Sequence, residues 1–543
     1  MSVKRGLHSA GAMAFVAGII CLLVYLRALF CGFVNYDDPD YVLNNPLIRT
    51  LDWNMVVQAF REPHAGWWMP LTWISFAVDY RFWGLNPAGY HLTNIVLHAL
   101  NTGLVVLIAD RILLGQGAGG GGQAARLYYA TLLLAGLLWG IHPLRVESVA
   151  WVVERKDVLN GLFTFSSALC YLQYVRVRET GKSSSSVYIL SLVLFACSLL
   201  AKSISVVLPL MLLVLDYYPL RRLRNASFAS LVAEKVPFFG FSALMTIITI
   251  SLTGKNSFVV LISDEMFPWY ERLLVSGNAI LQYLRYVLWP AGITPYHIIP
   301  DPVPLVPYAV ATVLVAAIFV LLLWYMRSTV WGAATWLLFI IPLLPVLSFL
   351  QNGDQGYAAR FTYLPSVAPS IMAALLISFL YSRVERIQRQ VVLVSLVLLL
   401  SGYAVMSYRL IAAWDNGGTM WTRVIDYAPS SAAYWRRAMY HFSSGNYQSA
   451  VTDYTAAIEL VTPGWRPFLH NYYAHRAEAL MAAGNYDAAV ADLTTAIAAY
   501  PHPAYLSLRR EAMRGLGKER EVLMNVEGKE PLGWYFEPLP EVR

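Results

Sequence analysis

Gly11-Ala12-Met13-Ala14-Phe15-Val16-Ala17-Gly18-Ile19-Ile20-Cys21-Leu22-Leu23-Val24-Tyr25-Leu26-Arg27-Ala28-Leu29-Phe30 is followed almost at once by Gly32-Phe33-Val34-Asn35-Tyr36-Asp37-Asp38-Pro39-Asp40-Tyr41. The first run is long enough, as a helix, to cross ~30 Å of hydrocarbon. The second places three carboxylates within four residues, where such a helix would emerge into water. Lys4 and Arg5 precede the run, which puts its start in the cytoplasm and the Asp37-Asp38 stretch on the far side. No small-residue cleavage site follows, so the run reads as a retained first span rather than a signal peptide.

The rest of the chain supports a polytopic membrane protein. Of its 543 residues 57% are hydrophobic and only 13% charged, against about 25% charged in a soluble domain. Apolar runs recur at helical length, and nothing suggests the ten-residue alternation of a β-barrel. The net charge of +7 is not a nucleic-acid footprint, because the basic residues cluster in short loops between spans. Cys21, Cys31, Cys170 and Cys197 lie in or beside apolar runs without metal-ligand spacing, and read as small hydrophobes.

About eleven spans are expected, at roughly 11–31, 89–110, 127–141, 158–175, 187–201, 204–219, 237–253, 306–326, 330–349, 365–381 and 391–409. The N-terminus is then inside and the C-terminus outside. Residues 32–88 form a long external loop, in which Met69 to Asp79 reads as an amphipathic helix on the membrane surface. Residues 254–305 form another. The helix Trp269 to Trp289 within it could be a span, but that would place Arg327 and Arg383, Glu385, Arg386 and Arg389 outside, against the charge bias. It therefore reads as an interfacial or re-entrant helix. Gly115 to Gly122 lacks a following Gly-Lys-Ser/Thr and reads as a flexible linker. On the second span His91, Asn94, His98 and Asn101 share one helix face. They either hydrogen-bond to neighbouring helices or line a wet cavity.

The character changes after residue 410. Gly445-Asn446-Tyr447-Gln448-Ser449-Ala450 recurs 39 residues later as Gly484-Asn485-Tyr486-Asp487-Ala488-Ala489. The pattern around each copy fits a tetratricopeptide repeat, with Pro463 to Pro467 as an insertion and Pro503 to Leu523 as a degenerate third copy. The expected architecture is all-α: a membrane domain over 1–410 and a repeat solenoid over 411–543. Such repeats present a concave surface for a protein partner.

The ionisable residues that are not basic and cytoplasmic fall on one predicted membrane face. They are Asp37-Asp38, His91, His142 with Glu147, Arg155-Lys156-Asp157, Lys202, Arg285, and Asp354 with Arg360. A carboxylate there could deprotonate an acceptor hydroxyl, and cations could neutralise a departing phosphate. A lipid-phosphate sugar donor would lie with its tail among the spans and its head group at this face. The alternative is that these are solvated loop charges and helix-end anchors. Asp37 or Asp38 with His91 or His142 could ligate a divalent metal ion, though no spacing demands one and no cofactor is required.

Phe33 to Asp38, Asn86-Pro87-Ala88-Gly89-Tyr90-His91-Leu92-Thr93-Asn94 with His98, His142-Pro143 with Glu147-Ser148-Val149 and Arg155-Lys156-Asp157, and Arg360-Phe361-Thr362-Tyr363-Leu364-Pro365-Ser366 together resemble the transmembrane and tetratricopeptide-repeat-containing O-mannosyltransferases and their bacterial relatives. The resemblance implies a GT-C fold, in which a polyprenyl- or dolichyl-phosphate sugar donates to an acceptor outside the cytoplasm, typically with inversion. It implies Asp37 as catalytic base and Asp38 as its supporting neighbour. Glu147, Arg155, Lys202, Arg285, Arg360 and Tyr363, with His91 and His142, are then candidates for donor and phosphate binding. The acceptor would be a protein or an envelope glycan, and the location a bacterial inner membrane, or the ER membrane in a eukaryote. A scaffold that recruits partners through its repeats and a transporter of lipid-linked sugars are the rival functions. A transporter would carry charge near mid-span, whereas here charge concentrates at one face.

Overall fold

The computed structural model describes residues 2–113, 122–253, 267–325, 330–348 and 355–517. Gly115 to Gly121, Arg327, Asp354 and the end of the degenerate third repeat lie outside these. The described residues form helices and turns, with two isolated β-bridges and no strand. They divide into two compact units. One comprises Met1–Phe33, Asp37–Ile299 and Val303–Asp415, the other Val34–Tyr36, Pro300–Pro302 and Asn416–Arg543.

The first unit begins with α1 (Ser2–Tyr25), followed by the short α2 (Trp53–Arg61), α3 (Pro70–Trp83) and α4 (Pro87–Leu113). Next come α5 (Gln123–Gly140), the single-turn α6 (Val146–Ala150), α7 (Arg155–Glu179), α8 (Ser185–Ala201), α9 (Leu208–Tyr217) and α10 (Phe228–Thr253). It ends with α11 (Trp269–Leu288), α12 (Leu305–Tyr325), α13 (Val330–Ile340), α14 (Val367–Arg383) and α15 (Arg386–Ile411). Each expected span falls on one of these helices. By length and composition alone, five described helices could cross a bilayer, in Ser9–Phe30, Pro87–Leu113, Phe228–Leu252, Leu305–Leu322 and Arg386–Trp414. A sixth is added if α5 and the bent segment after it count as one, and Ser185–Ala201, Ser203–Tyr217, Val330–Val346 and Val367–Arg383 are shorter apolar helices. With so many apolar side chains facing outward, among them Phe15, Ile247, Val313 and Leu398, this unit is a membrane protein.

Two expected surface helices are less superficial than their sequences suggest. Helix α3 buries Thr72, Trp73, Phe76, Ala77 and Asp79. Helix α11 packs Ala279, Ile280 and Tyr283 against Trp336, Phe339 and Leu343. The polar face of α4 is fully buried, and its partners are protein. Asn94 donates to the carbonyls of Val149, Trp151 and Val152 at 3.1–3.4 Å. Asn101 donates to Val158 O at 2.8 Å. A membrane interior offers no water for exposed carbonyls, so the Asn94 amide satisfies the backbone where the chain between α5 and α7 breaks into short turns, and Asn101 bonds a carbonyl in the first turn of α7.

The second unit contains α16 (Gly417–Tyr427), α17 (Ser431–Ser443), α18 (Tyr447–Glu459), α19 (Leu469–Ala482), α20 (Tyr486–Ala499) and α21 (Pro503–Gly515). The repeated Gly-Asn-Tyr marks the turn inside each hairpin. Gly445 and Gly484 have φ of 77° and 80°, the left-handed closure that glycine adopts without a Cβ clash. Ala450, Tyr454 and Ala457 in one copy, and Ala489, Leu493 and Ala496 in the other, are wholly buried. Arg437 pairs bidentately with Asp453, and Arg476, 39 residues on, pairs in the same way with Asp492.

Candidate active site

The segment between α5 and α7 carries much of the candidate site. Every residue from Ile141 to Gly161 is buried, so its charges are not those of a solvated loop. Glu154 lies 3.3 Å from both Lys156 Nζ and Lys202 Nζ and 3.4 Å from Arg360 Nε. Lys202 also donates to Asp157 at 2.5 Å. Glu147 pairs with the Arg360 guanidinium and accepts from its backbone N–H at 3.1 Å. Three carboxylates and three cations therefore form one nearly dry network.

Local structure places each member. Lys202 is at the tip between α8 and α9, where Asn160 donates to Ser198 O, Lys202 O and Ser205 Oγ at 2.7–2.8 Å. Arg360 sits on the turn Ala359–Thr362, anchored where Tyr283 Oη accepts from the Ala358 N–H and where Gln355 accepts from Arg360 at 2.8 Å. Trp151 links this network to the acidic turn after α1. Its indole N–H donates to Asp38 at 2.9 Å. Lys156 Nζ and the Arg360 guanidinium lie 5.7 and 5.5 Å from its ring, and Lys156 is 4.7 Å from the Tyr41 ring. Asp38 is buried, whereas Asp37 is half-buried. Of the acidic pair, Asp37 is thus the one an outside molecule can reach.

The electrostatics follow from this crowding. Burial alone would raise the Glu154 carboxyl, but Lys156, Lys202 and Arg360 together hold it well below the usual range. Asp157 is pushed from 3.8 to about 7, first by burial and then by Glu154, with Lys202 opposing. The folded protein therefore keeps a proton on Asp157 that the unfolded chain releases near pH 4. That contribution to stability is fully present below the unfolded value and is lost as pH rises through about 7. The thermal midpoint is expected to fall as pH rises from about 4 to about 7 and to level off above that, and Asp157→Asn to flatten the fall. A wild-type slope retained in that variant would remove Asp157 as its source.

The remaining expected site residues are placed elsewhere. Arg155 is wholly buried and fully engaged, donating to Asn94, Ser75, Asp79 and Tyr90 O at 2.5–2.9 Å. The Tyr363 hydroxyl is enclosed by Asn101 Nδ2 at 2.9 Å and His98 Nδ1 at 2.8 Å. Both are sealed into the helix packing. His91 is buried beside the Cys31–Gly32 backbone. His142 packs its ring on Tyr403 at 4.6 Å and meets Val287 O at 3.3 Å. Arg285 is exposed and binds Gln282 and Ala291 O. Among the described residues, no group of three or more His, Cys, Asp or Glu side chains could hold a metal ion. Glu154 and Trp151 were not singled out from sequence, and Lys156 only as part of the Arg155-Lys156-Asp157 cluster. The available signal was the density of charge in a stretch otherwise apolar enough to be buried.

A tetratricopeptide-repeat family model matches residues 431–460 and 470–503. Over 231 residues the chain is 32% identical to protein O-mannosyl-transferase tmtc2 of Xenopus laevis, covering 41% of this chain and 26% of that protein. It is 31% identical over 216 residues to human TMTC2, covering 38% and 24%, and 32% identical over 211 residues to Drosophila melanogaster Tmtc1, covering 37% and 21%. The chain spans about a quarter of the length of these curated relatives. No solved structure matches it significantly.

Proposed function

We propose that this chain, a relative of the transmembrane and tetratricopeptide-repeat-containing O-mannosyltransferases, is a GT-C-type membrane glycosyltransferase. It moves a mannose-like sugar from a polyprenyl-phosphate donor to a hydroxyl outside the cytoplasm, on a protein acceptor. The observation that carries this is the half-buried Asp37 beside Asp38, which Trp151 fastens to a buried network of Lys156, Lys202 and Arg360. Asp37 takes the acceptor proton as the oxygen attacks the anomeric carbon. The bond from that carbon to the phosphate oxygen breaks, and the polyprenyl phosphate leaves with its charge. Lys156, Lys202 and Arg360 neutralise that charge from fixed positions, which costs little reorganisation in a dry site. Glu147, Glu154 and Asp157 keep these cations placed while no donor is bound.

The fourteen residues Leu144 to Asp157, the acidic turn and the repeat unit are external in this assignment, with the N-terminus cytoplasmic. In a bacterium the repeats are periplasmic, and in a eukaryote they face the ER lumen. The purified full chain in lipid, given polyprenyl-phosphate mannose and a Ser/Thr-rich peptide, should release polyprenyl phosphate only when the acceptor is present. Mass spectrometry of envelope proteins and glycans from cells with and without the gene names the sugar and the acceptor class. A folded chain that transfers no hexose from any such donor would favour the scaffold instead.

A further inference from the structure

Arg145, one residue before α6, is wholly buried. Arg155, Lys156, Lys202 and Arg360 each pair with a carboxylate. Arg145 makes no ion pair among the described residues. Its Nη2 donates to Thr362 Oγ1 at 2.5 Å, while its Nε and Nη1 are buried with no hydrogen-bond partner among them. Asp157 acts on it only from beyond pairing distance and is already held by Lys202. The guanidinium lies 5.6 Å from the Trp139 ring and 5.5 Å from the Tyr363 ring. Such ring contacts stabilise a desolvated cation by only about 2 kcal/mol. Burying a charge without a partner costs more than that, so stability does not explain a cation at this position.

What Arg145 touches is the turn that carries Arg360. Thr362 Oγ1, which accepts from Arg145, itself donates to Ala359 O at 2.7 Å across that turn. Two residues after Arg145, Glu147 accepts from the Arg360 backbone N–H at 3.1 Å and pairs with its guanidinium. One short segment thus grips the turn at Thr362 and at Arg360. We propose that Arg145 is a positioning residue for the donor phosphate: through Thr362 it fixes the Arg360 turn, and its unpaired charge adds to that of Arg360, Lys156 and Lys202. The proposal rests on those three being the phosphate-binding cations. In a nearly dry site a charge acts strongly beyond contact distance, so Arg145 needs no contact with the phosphate. The donor is a phosphodiester with one negative charge, whereas the departing phosphomonoester carries up to two. The unpaired cation therefore favours the state in which the sugar bond is breaking.

The test uses the full chain in lipid, with polyprenyl-phosphate mannose as donor and polyprenyl phosphate as product inhibitor. Arg145→Met removes the charge and strands no carboxylate, and Thr362 keeps its bond to Ala359 O. Its thermal midpoint without ligand should therefore stay at or above the wild-type value. Donor kcat/KM should fall about 10- to 100-fold, and inhibition by polyprenyl phosphate should weaken by a similar factor, with acceptor KM unchanged. Arg145→Lys, which keeps the charge, should recover part of the loss. Thr362→Val, which removes only the hydroxyl, should show a smaller loss, and Thr362→Ser should restore the rate. Should Arg145→Met fail to fold, Arg145→Gln decides by the same readouts. Wild-type donor kinetics in the folded variant overturn the proposal. A lowered midpoint with unchanged product inhibition also overturns it, since that marks a purely structural residue. Wild-type product inhibition in both Lys202→Met and Arg360→Met instead removes the phosphate site, and the proposal with it.

Discussion

Asp37→Asn should lower the turnover of sugar transfer by about two to four orders of magnitude, the range a positioned general base supplies, and leave the protein folded. The two halves of that expectation come from different features. Asp37 is half-buried, and the change to Asn removes one charge at the edge of a network whose cations already have Glu147, Glu154 and Asp157. Surface-edge substitutions of this kind usually stay within about 0.5 kcal/mol. The rate loss follows because the amide cannot take a proton from the acceptor oxygen. In the proposed mechanism Lys156, Lys202 and Arg360 hold the donor, so donor KM should hold steady while kcat collapses. Asp38 makes an internal comparison. It is buried and accepts from Trp151, and Asn there retains an oxygen for that bond. Asp38→Asn should therefore cost less in rate than Asp37→Asn. The measurement is single-turnover release of polyprenyl phosphate by both variants beside the wild type. A smaller loss at Asp37 than at Asp38 would exchange their roles, and wild-type rates in both would move the base elsewhere.

The membrane character and the repeats were legible because each rests on a pattern local in sequence. A 20-residue apolar run announces its helix, and Gly-Asn-Tyr recurring in two helical patterns announces a hairpin turn with positive φ. The shared face of His91, Asn94, His98 and Asn101 was also legible. What that face touches was not, because periodicity reports direction and not partner. Asn94 serves carbonyls 55 to 58 residues away. The same limit hid the division of labour within Arg155-Lys156-Asp157. Consecutive residues on a helix point about 100° apart, so one of the three turns into the packing while the others join the network. Nothing in the tripeptide says which. Tyr363 was similarly unreadable, since its hydroxyl is claimed by Asn101, 262 positions earlier.

Arg155 therefore carries the sharpest test of structure against chemistry. As a donor-phosphate ligand, its loss would raise donor KM and spare stability. The geometry argues for the reverse. Its guanidinium is wholly buried, with Asp79 4% exposed on the other side of a 2.5 Å ion pair. Asn94, Ser75 and Tyr90 O take the remaining donors, and the group lies 5.3 Å over the Phe76 ring. Arg155→Met removes the cation and leaves the Asp79 carboxylate buried without its charge partner. Breaking one side of such a pair typically costs about 3–5 kcal/mol, enough to lower the thermal midpoint by several degrees or abolish folded yield. Asp79 would keep one partner, since Thr93 donates to its other oxygen at 2.8 Å, so the lower half of that range is expected. A matched second change separates the explanations. In Arg155→Met with Asp79→Leu the stranded charge is gone, and replacing a buried pair by apolar groups of similar volume is often neutral. The double variant should recover most of the lost stability and, with the Lys156, Lys202 and Arg360 network untouched, most of the transfer activity. A double variant that regains stability but keeps a raised donor KM would return Arg155 to the donor site. One that regains both fixes it as the tie between α7, α3 and α4 that holds the site's backbone in place.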